Sequence, residues 1–430
     1  MDNPGPDDVS GRRATDISDS VENAIREGRL APGAKLPTVR ALADQLEVSP
    51  STVSSAYRFL RQRGVISTHG RGGTRVHARP PIETPPPEPL PANVRDLTRT
   101  RHEDEIAPTL TQVLHDLADR LVSAGPVDLE DRLVKDFEID GIDTPGVVVV
   151  GSAREALDRI LDSQLLPGDR VGIEDPSAAE ISDVLNLNGL TPVGITVDEH
   201  GAVPASLADA LPRVSACILT PRGHDPTGAV IDATRASELR TVLRAAPEVS
   251  LIEWDPLGPV AGVDYNPIVA TDRNRWATVR SFEPMFGDRL GVAAVAGDSV
   301  TLARVRGRVD RLGSPLSSLV RRVVDELLAH PGAAQRLALT TRTHGARRVA
   351  LVAELRARGI QGSGQAGPWV WVPVHDQDRV AARLFDRGWL VTAGDTVEDH
   401  SPHGIRISVA RLDGSLTRRL ADDLLEVLAA

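Results

Sequence analysis

The sequence predicts two folded units: a small helical unit that ends in a two-stranded hairpin, and an α/β body with a mostly parallel, seven-stranded sheet. Three observations lead to this fold class. The first 80 residues combine helix-period apolar patterns with short turns, residues 80–91 are rich in proline, and beyond residue 110 apolar runs alternate with helical patterns. A smaller α+β part is expected at the end of the body.

The composition is that of an ordinary globular protein and excludes several classes. Of the 430 residues, 41% are hydrophobic and 25% are charged, so the chain as a whole is neither disordered nor fibrous. No apolar run approaches the roughly 18 residues of a membrane span, and the N-terminus lacks the apolar segment of a secretory signal. The single cysteine, Cys217, excludes a disulfide framework and is expected in the core. We expect a cytoplasmic protein without a membrane partner or a metal site.

Charge and lysine content are both unevenly distributed. The net charge is −11, yet residues 21–80 hold 10 Lys+Arg against 4 Asp+Glu, a local charge of +6. A basic unit on an acidic body is expected where one domain meets phosphates. Of the 49 basic residues only Lys35 and Lys135 are lysines. Chemistry that needs a lysine amine therefore has two candidates in the chain.

Three helices and a hairpin are predicted in the N-terminal unit. Apolar residues recur at helical spacing from Ile17, a second helix begins at 37–40 with Thr38 as its N-cap, and a third covers 51–62 after a turn. Residues 65–76 then form a hairpin, or wing. Two helices joined by a short turn form a helix-turn-helix, whose second helix enters a DNA major groove. A helix-turn-helix used only for protein contacts is the alternative.

The N-terminal residues carry a family resemblance. Leu30–Arg40 with its Leu-Pro-x-x-Arg signature, the turn at Val48-Ser49 and the wing Gly70-Arg71-Gly72 resemble the GntR winged-helix domain between about Ile17 and Val76. The resemblance implies DNA contacts by Arg40, Ser51, Thr52 and the wing residues His69, Gly70 and Arg71. The polar helix start and the nearby side chains add Ser49, Tyr57 and Arg58. Pro50 departs from the polar base reader of several family members, so the base preference is not carried over.

The domain boundaries follow from the proline-rich stretch, which holds seven prolines in twelve residues at 80–91 and acts as a semi-rigid spacer. We predict a DNA-binding domain at 1–79, a linker at 80–110 and a body at 111–430, with a large part at about 111–315 and a small part at about 316–430. The predicted sheet strands are 146–151, 170–175, 191–198, 214–221, 249–255, 276–282 and 290–297. In the small part we expect helices at 317–330 and 347–358 and strands at 369–374 and 405–410.

The motifs of the body resemble fold-type I aminotransferases and, together with the N-terminal domain, the MocR branch of the GntR regulators. The matching stretches span nearly the whole chain after the linker. They are Gly151–Leu157, Pro167–Asp169, Glu174–Pro176, Thr220–Arg222, Pro226–Gly228, Ile252-Glu253, Arg280–Phe282, Arg289–Gly291 and Gly404–Arg406. The resemblance implies pyridoxal phosphate as the cofactor of that fold and homodimerisation through the body.

The residues that pyridoxal phosphate requires are missing from the matching positions. The Schiff-base lysine falls at Pro284 when matched forward from Ser281-Phe282, or at Phe282 when matched backward from Arg289, and no lysine follows Lys135. The aspartate that binds the pyridine nitrogen falls at Trp254. The neighbouring Asp255 would point to the other face of the strand. Trp254 either fills the core or plugs the vacated ring site. We predict no covalent cofactor and no catalytic residues.

Part of a ligand pocket remains in the sequence. The ligand-binding candidates are Ser152, Asp225, Asp255, Ser281, Arg289 and Arg406. Ser152 at a helix start and the two arginines favour an anion, so we expect a small anionic effector. Two alternatives stay open: Ser152 acts only as a helix cap, and Arg406 forms an internal salt bridge with a nearby carboxylate.

These observations predict a sequence-specific DNA-binding transcriptional regulator that is not an enzyme. Its aminotransferase-like domain serves dimerisation and, as a further hypothesis, effector sensing without covalent pyridoxal phosphate. The partners are then double-stranded operator DNA, a second copy of the chain and the effector. Two other functions stay open: a regulator that binds pyridoxal phosphate noncovalently, and an active aminotransferase.

Overall fold

The computed structural model describes residues 9–26, 29–31, 33–62, 65–69, 73–76, 90–99, 107–118, 129–270, 272–286, 290–312, 316–397 and 402–429. The chain divides into two compact units: residues 1–88 together with the short stretches 165–169 and 185–191, and the remaining residues from 89 to 430. The prolines of the predicted linker up to Pro89 lie outside the described residues. No helix in the described ranges is long and apolar enough to span a membrane.

The N-terminal unit has the predicted helices and wing. Its elements are α1 (Ala14–Arg26), α2 (Val39–Leu46), α3 (Pro50–Gln62), β1 (Ile66–His69) and β2 (Gly73–Val76). The Thr38 side chain caps α2 by accepting a hydrogen bond from the Ala41 amide at 3.2 Å. The helix ends at Glu47, which takes the left-handed conformation with φ 54°. β1 and β2 pair antiparallel, and apolar side chains of all three helices, among them Ile17, Leu42 and Val53, form one core.

The described part of the body contains one large sheet of eight strands. In chain order, after the short strand β3 (Arg95–Asp96), these are β4 (Val147–Val150), β5 (Arg170–Asp175), β6 (Thr191–Asp198), β7 (Gly201–Ala202), β8 (Ala216–Leu219), β9 (Ser250–Asp255), β10 (Trp276–Ser281) and β11 (Ala293–Gly297). Their spatial order is β4-β11-β10-β9-β8-β5-β6-β7. The eighth strand, which the sequence did not predict, is the two-residue β7 that returns antiparallel to β6.

The sheet is mostly parallel, as predicted. β5, β8, β9 and β10 pair in parallel, whereas β11 is antiparallel to both β10 and β4. Helices that precede, connect or follow the strands include α4 (Ala107–Ala118), α5 (Leu129–Ile139), α6 (Ala153–Gln164), α7 (Ala179–Leu187), α8 (Pro204–Ala210), α9 (Ala233–Leu243), α10 (Glu283–Phe286), α11 (Ser299–Leu312) and α12 (Ser318–Ala329). A core of buried aliphatic and aromatic side chains, including Phe137, Cys217, Leu251 and Phe282, lies on one face of the sheet.

The small part is built on an antiparallel sheet and a long helix. Its elements are α13 (Pro331–Ala357), β12 (Trp369–Pro373), α14 (Gln377–Asp386), β13 (Trp389–Leu390), β14 (Thr392–Ala393), β15 (Gly404–Ser408) and α15 (Gly414–Ala429). β12, β15 and β14 form the sheet in that order. α13 begins sixteen residues before the predicted start at 347, because Pro331 suits the first helical position and His330 accepts a hydrogen bond from the Gly332 amide.

Residues 90–99 belong to the body, although the sequence analysis assigned them to the linker. β3 pairs in parallel with β13, and Leu97 is buried in the core of the small part. The proline content that marks the spacer ends at Pro91, whereas the backbone after it has hydrogen-bond partners on a strand edge. The linker prediction of 80–110 therefore extended too far.

Candidate functional sites

The start of α3 presents a cluster of hydroxyl groups. Ser49 caps the helix by accepting a hydrogen bond from the Thr52 amide at 3.2 Å. Its Oγ lies 2.7 Å from Ser51 Oγ and 2.8 Å from Thr52 Oγ1. Ser49 and Ser51 are exposed and Thr52 is partly exposed. The three predicted base-reading side chains are therefore close together at the end of the helix that a helix-turn-helix directs towards DNA.

The other predicted DNA contacts divide into three groups. Arg40 and Arg58 are exposed on α2 and α3. Tyr57 is only 3% exposed, and its hydroxyl donates a hydrogen bond to the Pro37 carbonyl at 2.8 Å, so it is a core residue and its assignment to the DNA contacts is corrected. For His69 the structure describes only the backbone of β1, and Gly70 and Arg71 lie outside the described residues.

A cavity of about 630 Å³ lies in the body, between residues of the large and small parts. That volume is in the range of small-molecule sites. Ser152, Asp225, Ser281 and Arg406 from the predicted ligand set line it. Its other lining residues include Thr98, Arg99, Arg154, Ser177, Glu180, Pro256, Leu257, Glu283, Pro284, Trp369, Thr392 and Asp395. Arg289, also predicted, lies outside the described residues.

The start of α6, where an anion was expected, is closed by the chain's own carboxylate. Ser152 Oγ accepts a hydrogen bond from the Glu155 amide at 3.0 Å. In return the Glu155 carboxylate accepts one from the Gly151 amide at 3.1 Å. This resembles a capping box, except that the Glu155 carboxylate binds the amide of Gly151, one residue before the amide of the N-cap residue Ser152. Ser152 is thus a helix cap, and a carboxylate already contacts the helix start.

Arg406 is held by groups of the chain. It forms an ion pair with Asp225, donates to the Thr98 carbonyl at 2.9 Å and to Thr392 Oγ1 at 3.0 Å, and its guanidinium lies 4.1 Å from the centre of the Trp369 ring. Burial raises the pKa of Asp225, and Arg406 opposes that rise. The internal salt bridge, left open by the sequence, is the arrangement in the structure.

The two residues that could stand at the position of the missing lysine lie in different environments. Pro284 lines the cavity, whereas Phe282 is buried in the core and stacks on Phe286 with 6.3 Å between ring centres. Matching forward from Ser281 therefore gives the position that faces the site. Trp254, at the aspartate position, is 1% exposed and is not one of the residues that line the cavity.

The residues that line the cavity do not fit covalently bound pyridoxal phosphate. None of the residues that line it is a lysine, so no amine is available for a Schiff base. An indole at Trp254 cannot form an ion pair with a pyridine nitrogen. The Glu155 carboxylate accepts a hydrogen bond from the Gly151 amide, directly before the helix start to which a phosphate would bind. We therefore derive no reaction step through this cofactor.

Asp255 does not line the cavity and belongs to a buried ion network on the other face of β9. Arg222 binds it with two hydrogen bonds, of 3.0 and 2.9 Å, and Arg280 binds it at 2.8 Å. Arg280 also reaches Asp136 and Asp140, each at 2.6 Å. Burial alone would raise the pKa of Asp255, but the two guanidiniums hold it below its ordinary value. Its assignment as a ligand residue is corrected, because both of its carboxylate oxygens accept hydrogen bonds from these two arginines.

Two buried titratable groups lie next to each other beside the Asp225 loop. Glu174 accepts a hydrogen bond from the Thr220 amide at 2.9 Å, and its carboxylate lies 3.6 Å from Nε2 of His224. Burial raises the pKa of Glu174 to about 8, against the hydrogen bonds from Thr220. Burial also lowers the pKa of His224 to about 3. Both groups are therefore largely uncharged at pH 7, and in the described ranges no three His, Cys, Asp or Glu side chains form a metal-binding group.

Several cavity residues were not among the sequence-based ligand candidates. Thr98 and Arg99 come from the segment assigned to the linker, and Glu180, Trp369 and Asp395 carry no motif. The small part brings Trp369 and Asp395 to the site through contacts distant in sequence. The buried Leu97 after the proline stretch is the one local signal that residues 95–99 are folded.

Comparisons with known proteins show which family the N-terminal unit matches and which fold the body has. Residues 13–76 match the family described as bacterial regulatory proteins, gntR family. The body is similar in fold to a kynurenine aminotransferase of Pyrococcus horikoshii, with a TM-score of 0.71 at 16% identity over 79% of this chain and 91% of that chain. A multiple substrate aminotransferase of Thermococcus profundus gives a TM-score of 0.72 at 15% identity over 79% and 92% of the two chains. Together the units define a transcriptional regulator with an aminotransferase-like domain.

Two curated relatives share both units. The vitamin B6 salvage pathway transcriptional repressor PtsJ of Salmonella typhimurium is 32% identical over 98% of this chain and 99% of its own length. The pyridoxine biosynthesis transcriptional regulator PdxR of Corynebacterium glutamicum is 25% identical over 88% and 87%. The chain belongs to the MocR branch of the GntR transcriptional regulators.

Proposed function

We propose that this regulator binds operator DNA as a homodimer and that its body senses an effector by noncovalent binding, without catalysis. The observation that carries the proposal is a cavity of about 630 Å³ in an aminotransferase-like body with no lysine among the residues that line it. A site of that size admits a small molecule, while the missing amine removes covalent capture of an aldehyde. A cytoplasmic location agrees with a function on DNA.

The regulated genes are proposed to belong to vitamin B6 metabolism. Support comes from the two relatives named for vitamin B6 salvage and pyridoxine biosynthesis, one of which aligns over nearly its whole length. Purified protein should retard promoter fragments of such genes from its own genome, and DNase footprinting should then give two half-sites per dimer. Binding elsewhere in the genome, with no protection at these promoters, would contradict the proposal.

The noncovalent mode is tested with pyridoxal phosphate and borohydride. Only Lys35 and Lys135 can form an aldimine besides the terminal amine, so reduction should give no specific label in residues 140–430 by peptide mass spectrometry. The purified protein should also lack the aldimine absorption at roughly 400–430 nm. A stoichiometric label within the body, with transamination of an amino acid, would instead support the aminotransferase alternative.

Noncovalent pyridoxal phosphate remains a second candidate because the relatives are named for vitamin B6 pathways. It is distinguished by equilibrium dialysis, in which saturable binding that borohydride does not trap supports this candidate. The dimer is tested separately by sedimentation of the full chain. A stable monomer at micromolar concentration that still binds one half-site would contradict the homodimer.

A further inference from the structure

The charged side chains that line the cavity are more acidic than basic. Four are carboxylates and three are arginines: Glu180, Asp225, Glu283 and Asp395 against Arg99, Arg154 and Arg406. The sequence-based expectation of an anion depended on Ser152 at a helix start, Ser281, Arg289 and Arg406, with Asp225 and Glu283 already acting against it. With all lining residues known, the formal charge of the wall is negative.

Each of the three arginines has a carboxylate of the chain nearby. Arg406 pairs with Asp225, and Arg99 lies 3.0 Å from Asp96. Arg154 lies 3.9 Å from Glu180, and its side chain is 56% exposed. An anionic ligand would have to compete with these pairs, and an exposed arginine contributes little to binding because water screens it.

The start of α6 adds to the acidic character. The Glu155 carboxylate accepts a hydrogen bond from the Gly151 amide, so a phosphate placed at this helix start would lie close to a negative charge. Glu283 also lines the cavity.

Ser177 gives an independent indication that a polar ligand group belongs here. It lines the cavity and is 2% exposed, and its Oγ has no hydrogen-bond partner among the described residues. A buried polar group without a partner is unfavourable, and it is found where a ligand or water supplies the bond. A hydroxyl can donate to or accept from such a ligand.

We propose that the cavity binds a small molecule that carries a protonated amine and no phosphate, and that Glu180 is the carboxylate that pairs with the amine. A charge-assisted hydrogen bond between an ammonium group and a carboxylate in a partly buried site is among the stronger polar contacts. The proposal replaces the expectation of an anionic effector. It rests on the proposed function, in which this cavity is the effector site.

The electrostatic environment of Glu180 supports this assignment. Burial, together with Asp225 and Glu283, raises the pKa of Glu180 to about 7, whereas Arg154 and Arg406 act in the opposite direction. Burial itself favours no charged ligand, but the negative charges of Asp225 and Glu283, which also raise this pKa, favour a positive charge close to Glu180. An ammonium group would supply that charge and keep Glu180 ionised.

The test uses three probes that differ by one group at a time: pyridoxamine with an amine, pyridoxine with a hydroxyl in its place, and pyridoxamine 5′-phosphate. Binding to the full-length protein is measured by calorimetry. Pyridoxamine should bind at least about tenfold more tightly than pyridoxine, which lacks the amine for the charge-assisted bond, and at least about tenfold more tightly than the phosphate, which the acidic wall disfavours. Tighter binding of the phosphate, equal affinities, or no binding of pyridoxamine would overturn the proposal, and these measurements need no variant.

A variant then identifies the carboxylate. Glu180→Gln should bring the affinities for pyridoxamine and pyridoxine to within about twofold, whereas Glu199→Gln, at a side chain that is 78% exposed, should leave the tenfold difference unchanged. An unchanged difference in Glu180→Gln overturns the role of Glu180. Operator binding is measured on the same samples. If the wild-type protein binds operator DNA but does not prefer the amine, only this inference is refuted. If the wild-type protein does not bind operator DNA at all, the proposed function is refuted.

Discussion

Replacing Asp255 by Asn should destabilise the body strongly, because it removes the carboxylate between two buried arginines. Asp255 and Arg280 are fully buried and the Arg222 side chain is 4% exposed. Arg280 keeps Asp136 and Asp140, but Arg222 keeps only Asp140, at 3.3 Å. Breaking a buried pair leaves an uncompensated charge and typically costs about 3–5 kcal/mol. We expect the lower end, about 3 kcal/mol, because Asp140 retains contacts with both arginines.

The matched control is Asp136→Asn. Asp136 binds the same Arg280, but its side chain is 34% exposed, so its loss should cost about 1 kcal/mol or less. Both variants are compared with the wild type by urea unfolding at pH 7, followed by tryptophan fluorescence. All five tryptophans lie beyond residue 250, so the signal reports the body alone. If Asp255→Asn is destabilised by no more than about 0.5 kcal/mol beyond Asp136→Asn, the reasoning about the buried network is wrong.

Three further predictions concern other parts of the chain. Arg40→Ala should weaken specific operator binding by about 1–3 kcal/mol if Arg40 reads a base, and wild-type affinity in a gel-shift titration would remove it from the interface. Tyr57→Phe should lower the stability of the N-terminal unit by about 1 kcal/mol through the lost bond to the Pro37 carbonyl; a loss of DNA affinity at unchanged thermal stability would contradict its core position. Burial raises the pKa of Glu174 to about 8 in the folded protein. The folded state therefore binds this proton more tightly than the unfolded state, which stabilises the wild type at low pH. That stability should fall between about pH 5 and 8 by up to about 1.4 kcal/mol per pH unit. Glu174→Gln should lack this component, and identical pH profiles in urea unfolding would refute it.

Much of the fold was predictable because its signals are local. Continuous apolar runs gave the strands of the parallel sheet, and the Thr38 cap and the wing turn gave the limits of the N-terminal elements. β7 and β3 were missed because strands of two residues have no periodicity to read. The start of α13 was missed because its apolar residues are widely spaced, and only three of its side chains are buried.

The candidate sites were less predictable because their chemistry depends on partners distant in sequence. The motif position of Arg406 led to the cavity, but Asp225, 181 residues away, compensates its charge. Tyr57 was assigned to DNA from its place in the helix-turn-helix, whereas its hydroxyl contact with Pro37 is a tertiary one. Asp255 was named as a ligand candidate although strand alternation placed it on the face opposite to Trp254, and its arginine partners were unforeseen.

The scarcity of lysine makes the protein suited to distance measurements between its two units. Lys35 is an exposed residue of the N-terminal unit and Lys135 an exposed residue of α5 in the body, while Cys217 is buried. Once the terminal amine is blocked, amine-reactive fluorophores would therefore attach at one side chain in each unit, and Lys35→Arg or Lys135→Arg would give singly labelled references that keep the charge. Energy transfer between the two dyes would report directly whether operator DNA or an effector changes the spacing of the units.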